Sequence, residues 1–467
     1  MSKIEVNTVD TQCGSTLTLG SSGKTVTLAS GASQSGFGRA GSVNWCSTIY
    51  TNSPGTVTAT SGKGFFLNTT SGAITINLPS SPAVGDIVAV KDYANTFDNN
   101  NVTVGRGGSK INGLCVDAVL STEGESITLI YADATRGWLN VNTDSTVTGN
   151  LFIEATGGTV TTCGNFKTHT FTADGNFIVT NAGQPSGAGG ANTVDYFVVA
   201  GGGGGGHDYG SGGGAGGFRL SNTTCMPAPQ TSPLVAPNSP SPAAIPVTAA
   251  TFPITVGGGG AIAPSDNSAS GSPSVFSTIT SAGGGKGKQG ENASNGVDGG
   301  SGGGAPGTST ASRTGGSGNT PPVAPPQGNN GGTAPPSGGT SQQSSAGGGG
   351  ASAVGGNSSP GSTTGTGGAG SFVVSAGFAG CNGAAGPVSG ARYFAGGGSG
   401  GGSSVPTAGA AGVGGGGKGS TPGDVAPTPG PACGSDNTGG GGGGRSSSGT
   451  GGGSGGSGIV IIRYKFQ

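Results

Sequence analysis

Glycine supplies 109 of the 467 residues, and it is unevenly placed: 27 lie in the first 200 positions and 82 in the rest. Ordering a glycine costs at least ~1–2 kcal/mol of backbone entropy, and a glycine run has no side chain to bury in return. The C-terminal part therefore cannot condense around an oily interior. Two outcomes are open to it. One is a flexible Gly/Ser linker; the other is a set of polyproline II helices, which bond to neighbouring helices because they make no internal hydrogen bonds. Collagen is excluded, because uninterrupted runs such as Gly201 to Gly206 break the strict every-third-glycine register.

The layout favours packed helices. Runs recur at 257–260, 283–285, 347–350, 396–398, 414–417 and 439–444, separated by spacers that carry proline and bulk, such as Pro321-Pro322-Val323-Ala324-Pro325-Pro326 and Ala391-Arg392-Tyr393-Phe394. A six-residue run at ~3.1 Å per residue spans ~19 Å. A plain linker has no need of such alternation.

The remaining composition removes whole functional classes. With 18 Lys+Arg against 19 Asp+Glu, there is no basic patch for nucleic acid and no large net charge to drive disorder. No stretch reaches 18 consecutive apolar residues, and the start, Met1-Ser2-Lys3-Ile4-Glu5-Val6, has no apolar leader segment, so no secretory signal is expected. The seven cysteines are dispersed and only His169 and His207 accompany them, so neither a disulfide framework nor a zinc site is expected. The cysteines are expected as small buried hydrophobes. Gly397-Gly398-Ser399-Gly400-Gly401 satisfies G-x-S-x-G by accident of composition, since a nucleophile elbow needs strand–turn–helix context and His and acid partners. Gly23-Lys24-Thr25 lacks the upstream glycine of a phosphate-binding loop. No catalytic constellation, cofactor or metal site is expected.

The N-terminal 200 residues read as short strands, giving an all-β chain. In 1–45, Thr16-Leu17-Thr18-Leu19 and Thr25-Val26-Thr27-Leu28 alternate apolar and polar about a Gly-rich turn, an N-terminal β-repeat. Residues 46–145 hold at least five strand-like segments at roughly 10-residue spacing, which predicts an antiparallel sandwich or barrel with Trp138 at its core edge. In 146–200, Lys167 to Thr172 and Asn176 to Thr180 flank Asp174-Gly175, a hairpin signal, with His169 expected on the solvent face. Val194 to Ala200 is apolar on both faces and runs into six glycines; Ile459 to Phe466 is the matching run at the far end. The two are expected to pair, so that 146–200 plus 458–467 form a β-domain from which the Gly-rich insertion, 201–457, leaves and to which it returns.

These residues carry a resemblance. Asp195-Tyr196-Phe197-Val198-Val199-Ala200 before the six glycines, closed by Gly455-Gly456-Ser457-Gly458-Ile459-Val460-Ile461-Ile462-Arg463-Tyr464, resembles the Gly-rich domain of bacteriophage tail-fibre proteins. Ser2-Lys3-Ile4-Glu5-Val6-Asn7-Thr8 is similar to the N-termini of marine phage tail fibres, and Gly72-Ala73-Ile74-Thr75-Ile76-Asn77-Leu78-Pro79 with Ala132 to Trp138 is similar to a β-module of the same proteins. The insertion is also similar to the polyglycine-sandwich adhesins at T-even-like fibre tips, although the long Pro-rich spacers and the N-terminal β region depart from them. The resemblance implies a non-enzymatic virion fibre, made in the host cytoplasm. Its N-terminus would engage tail or adaptor proteins, and its loops would meet a host glycan or outer-membrane protein. Short strands with thin cores imply a homotrimer. A passive capsid or neck decoration fibre and an ice- or surface-binding protein are the alternatives.

Surface recognition would fall to aromatics on loops. The candidates are His207 and Tyr209, which interrupt glycines just after a strand, then Phe218 and Arg219, and Tyr393 and Phe394. The competing role for these aromatics is to fill gaps between helices.

Overall fold

The computed structural model describes residues 43–53, 55–141, 152–183, 191–221, 244–262, 268–290, 294–339, 342–374, 378–403, 408–422, 431–446 and 451–466. The repeat at Thr16–Leu19 and Thr25–Leu28 lies outside them. The described chain is all-β with no α-helix.

The first module is built from β1 (Asn44–Tyr50), β2 (Thr56–Thr58), β3 (Lys63–Leu67), β4 (Ile74–Asn77), β5 (Ile87–Asp92), β6 (Val102–Gly105), β7 (Ala118–Leu120), β8 (Ser126–Asp133) and β9 (Gly137–Asn140). They form two sheets, ordered β1-β3-β5-β8-β9 and β2-β4-β6-β7. Val57, Phe65, Leu67, Ile74, Ile76, Val88, Val90, Val104 and Leu129 are buried between them. The antiparallel expectation is corrected here: β1-β3, β3-β5, β2-β4 and β4-β6 are parallel, and only β5-β8, β8-β9 and β6-β7 are antiparallel. The cause is the connection. Successive strands up to β6 alternate between the sheets, so each return to a sheet runs in the same direction as the last. Trp138 is fully buried rather than at the core edge, its ring set edge-on to Tyr131 at 5.6 Å.

The second β unit comprises β10 (Ile153–Thr156), β11 (Thr159–Cys163), β12 (Phe166–Phe171), β13 (Gly175–Ala182), β14 (Thr193–Val199), β15 (Phe218–Leu220), β16 (Ile245–Pro246), β17 (Thr251–Thr255), β18 (Ser274–Phe276), β19 (Ile279–Ser281) and, at the end of the chain, the strand Ile459–Lys465. One sheet runs β10-β13-β17-β18-β19; the other runs β11-β12, then Ile459–Lys465, then β14-β15. Strands β15 to β19 thus come from inside the Gly-rich insertion. Asp174-Gly175 does not close a hairpin, because β12 and β13 enter opposite sheets; the Asp174 carboxylate instead accepts the Val256 amide at 2.8 Å.

The last strand lies antiparallel to β14, Asp195 opposite Arg463 and Val199 opposite Ile459. Both are buried on two faces, as continuous apolar runs require. Tyr196, Val198, Val460, Ile462 and Tyr464 face the sandwich interior with Phe177, Ile254 and Phe276. Phe197, Val199, Ile459 and Ile461 face the other way, onto Phe218, Phe378 and Phe394.

His169 is buried in the sandwich, which corrects its expected place on the solvent face. Its Nδ1 donates to the Gly157 carbonyl at 2.6 Å, so the neutral ring's Nε2 accepts the Tyr464 hydroxyl at 3.0 Å. Burial holds the imidazole below its ordinary value, with the Gly157 bond opposing and Lys167 reinforcing the shift; burial likewise pushes Tyr464 up to about 12. In the unfolded chain His169 takes up a proton near pH 6.5, before the folded ring does, so stability is full above that pH and falls as pH drops below it. The expected slope is up to ~1.4 kcal/mol per pH unit until the folded ring also protonates. Urea denaturation at pH 8 and pH 5 checks it, and His169→Phe is expected to flatten the difference.

The cysteine expectation is corrected for four: Cys115, Cys163, Cys381 and Cys433 are exposed free thiols, while Cys46 is partly buried against the first core and Cys13 and Cys225 lie outside the described residues. Cys115, Cys163 and Cys381 occupy turns or a strand end and Cys433 a Gly-rich segment, while Phe, Ile and Val fill the cores.

Candidate functional site

The Gly-rich segments form a hydrogen-bonded lattice. In 201–206 no amide bonds within its own segment. Gly201 and Gly204 donate to Ser272 and Ala269, Gly202 and Gly205 to Gly456 and Gly453, and Gly203 and Gly206 to Gly214 and Ser211, at 2.8–3.1 Å. Partners that repeat every third residue are the mark of a three-residue turn, the polyproline II geometry. The carbonyls point to three further neighbours: Gly201 and Gly204 accept from Gly284 and Gly287, Gly202 from Gly260, and Gly203 and Gly206 from Gly442 and Arg445. This segment therefore sits among six others.

Segment 210–217 repeats the arrangement. Its amides reach 439–445, 282–288 and 346–349, and its carbonyls take amides from 398–401, 200–206 and 301–304. Side chains could not enter here. A Cβ on Gly201, Gly205, Gly213 or Gly442 would lie within 3.0 Å of a neighbouring carbonyl.

At the lattice surface several amides are met by short polar side chains in place of carbonyls. Asn295 Oδ1 accepts the Thr314 amide at 3.2 Å, Asp298 Oδ1 that of Ser317 at 2.6 Å, Asn330 Oδ1 that of Gly318 at 2.8 Å, and Asn357 Oδ1 that of Thr333 at 2.8 Å. This is what the Asn and Asp of the spacers do: they close a hydrogen-bond lattice at its boundary.

Chain direction alternates from one segment to the next. Segment 201–206 leaves the sandwich and 210–217 returns to it; 439–445 leaves and 452–458 returns, each pair antiparallel by its bonds. The turns consequently fall alternately at the sandwich end and at the far end. The turn His207-Asp208-Tyr209 joins two six-coordinate segments at the far end. It is half-buried, and it is held by its backbone: the Asp208 carbonyl accepts the Gly290 amide at 2.8 Å. Asp208 and Tyr209 have φ of 46° and 51°, the left-handed region. For a residue as bulky as Tyr209 this conformation is an outlier that costs of order 1–3 kcal/mol.

The other four candidates are elsewhere. Phe218, Tyr393 and Phe394 are buried at the sandwich end of the lattice, roughly 25 Å from the tip for eight residues at ~3.1 Å each. Phe218 and Phe394 pack edge-on to Phe197 at 4.9 and 4.8 Å, and Tyr393 rests on Phe372 at 5.2 Å in a hairpin of β20 (Ser371–Val374) and β21 (Ala391–Phe394). As receptor contacts these three are corrected: they join lattice to sheet and offer no face to a ligand. Arg219 is half-buried, its Nη1 donating to the Thr280 carbonyl at 3.3 Å. A signal for the split was present in the order of the runs, since a spacer after an outgoing run is distal and a spacer after a returning run is proximal. Among the described residues no group of three metal-ligating side chains exists.

No curated protein matches the sequence. The family model of a glycine-rich domain matches residues 184–465, which takes in the sandwich's central strands and the whole lattice. The chain belongs to that glycine-rich domain family.

Proposed function

We propose that the protein is a virion fibre component, of tail-fibre type, that presents the distal turns of its lattice to a host-surface glycan or outer-membrane protein. The observation that carries this reading is Tyr209. A large aromatic is kept in a left-handed conformation at a turn of the far end, where glycine would cost nothing. Strain retained at an exposed end of a rigid scaffold is the pattern of a site kept for contact rather than stability. The N-terminal residues would hold the protein to tail or adaptor proteins, and a homotrimer would multiply weak single contacts by avidity. No step of this reading needs a cofactor, a nucleic acid or an enzymatic reaction.

Tyr209→Gly separates the two contributions. It is expected to raise stability by about 1 kcal/mol, from relief of strain, while cutting adsorption of particles to host cells tenfold or more. Adsorption unchanged with particles intact would favour a passive decoration fibre and remove the attachment reading.

One observation favours a second reading, that of a protein binding an ordered surface such as ice. The segments 313–318, 328–333, 355–358, 364–370 and 409–413 are linked in sequence into one outer layer, with short uncharged side chains such as Thr314, Thr333, Thr366 and Val413 exposed on it. Thermal hysteresis of the purified chain would support it, and its absence would leave the fibre reading.

A further inference from the structure

The floor of a cleft of about 530 Å³ is made by β11 and β12, and its wall by residues 378–382. The volume falls within the ~300–1,000 Å³ of small-ligand sites. Five threonines line it: Thr159, Thr161 and Thr162 on the edge strand, Thr170 on β12, and Thr172 just beyond it. Thr159 is paired directly with Thr170 across the two strands, so their hydroxyl-bearing side chains stand side by side. Among the described residues none of these five hydroxyls makes a hydrogen bond to the chain. The wall adds Asn382, whose Nδ2 donates to the Ala379 carbonyl at 2.9 Å, and no charged side chain lines the cleft.

The site is also preformed. Phe378 anchors the wall: it is buried, and its ring covers the Arg463 guanidinium at 4.7 Å. That guanidinium is in turn neutralised by Asp195 at 2.7 Å, and Lys167, opposite Thr162, holds its ammonium over the Phe466 ring at 4.9 Å. Thr159, Thr161, Thr170 and Thr172 share one face of the two strands, and hydroxyls grouped there without a charge disfavour phosphates, carboxylates and metal ions, since each would be desolvated without a counter-charge. The threonine methyls offer apolar contact beside each hydroxyl. A bounded site of hydroxyls and methyls matches the alternating hydroxyl and C–H faces of a sugar ring.

We propose that this cleft is a binding site for a neutral saccharide, one or two rings long. It is independent of the lattice tip and holds whether or not that tip attaches to a cell.

Two thiols report on it. Cys163 and Cys381 line the cleft, whereas Cys115 and Cys433 are exposed elsewhere. The full chain is alkylated with iodoacetamide and followed peptide by peptide by mass spectrometry, with and without saturating methyl glucoside, methyl galactoside, lactose, maltose or sialyllactose. At least one neutral sugar is expected to slow alkylation of Cys163 and Cys381 threefold or more and leave Cys115 and Cys433 unchanged. Thr161→Val and Thr170→Val, which suit a strand, are each expected to weaken that sugar's binding tenfold or more in titration calorimetry without lowering the melting temperature. The proposal is overturned if no neutral sugar protects the pair, if sialyllactose binds better than lactose, or if protection survives both threonine variants. Protection of the β11 edge amides by an extended peptide, insensitive to those variants, would overturn it in favour of strand addition.

Discussion

Gly213→Ala is expected to destabilise the lattice by about 3 kcal/mol or more, one methyl group producing an effect at the severe end for a single substitution. The new Cβ would lie within 3.0 Å of the Gly203 carbonyl, which is backbone and cannot swing aside like a side chain. Gly203 cannot retreat either. Its amide is committed to Gly214 at 2.9 Å and its carbonyl to the Gly442 amide at 2.9 Å, and the Gly442 carbonyl in turn takes the Gly213 amide at 2.9 Å. Strain therefore spreads through the lattice instead of relaxing locally. The matched control is Gly258→Ala: a Cβ there meets nothing within 4 Å. Its φ is also outside the left-handed region. That substitution is expected to be neutral or to stabilise by ~0.4–1 kcal/mol, through loss of freedom in the unfolded chain. Paired denaturant melts of the two variants separate a lattice from a Gly-rich coil, in which both alanines would behave alike.

Asp195→Ala is expected to cost about 3–5 kcal/mol, because it strands a buried guanidinium. The Arg463–Asp195 contact is 2.7 Å, with the two side chains 4% and 7% exposed. The arginine is clamped between the rings of Phe166 and Phe378 at 4.9 and 4.7 Å, while Asp195 also accepts Ser221 Oγ at 3.0 Å. The two residues stand opposite each other on the strands that send the chain into the lattice and receive it back. A slip of one residue would turn Arg463 into the sandwich interior, towards Val198, Phe177 and Phe276. The ion pair thus fixes register more than it adds net stability. Accordingly, the double variant Asp195→Leu with Arg463→Met is expected to recover most of the loss, since a well-packed apolar pair commonly matches a buried ionic one. Equal losses from the single and double variants would show that the two side chains act independently.

The glycine arithmetic made the helical lattice readable before any coordinates, because only lateral backbone bonding can hold residues that have nothing else to bury. The pairing of Val194–Ala200 with the last strand was legible for the same kind of reason, each run being apolar on both faces. What local pattern could not reveal was where successive elements go. Asp174-Gly175 looks like a hairpin in sequence, yet its flanking strands part into different sheets, and the same ambiguity concealed the parallel pairs of the first module. His169 alternates with polar residues as an exposed histidine would, and only the distant Tyr464 hydroxyl makes its burial tolerable. At the candidate site residue type could not tell position: Phe218 and Phe394 are separated from Tyr209 by a full lattice length that no short window of sequence can display.

Amide hydrogen exchange over 201–217 and 439–446 tests the lattice most directly. With every glycine amide here except that of Gly440, which donates to Thr438 Oγ1, held by a carbonyl of another segment, exchange should be slowed on the order of 10³-fold or more relative to an unstructured peptide, and whole segments should open together. Rates near those of free Gly-rich peptide throughout these stretches would contradict the account.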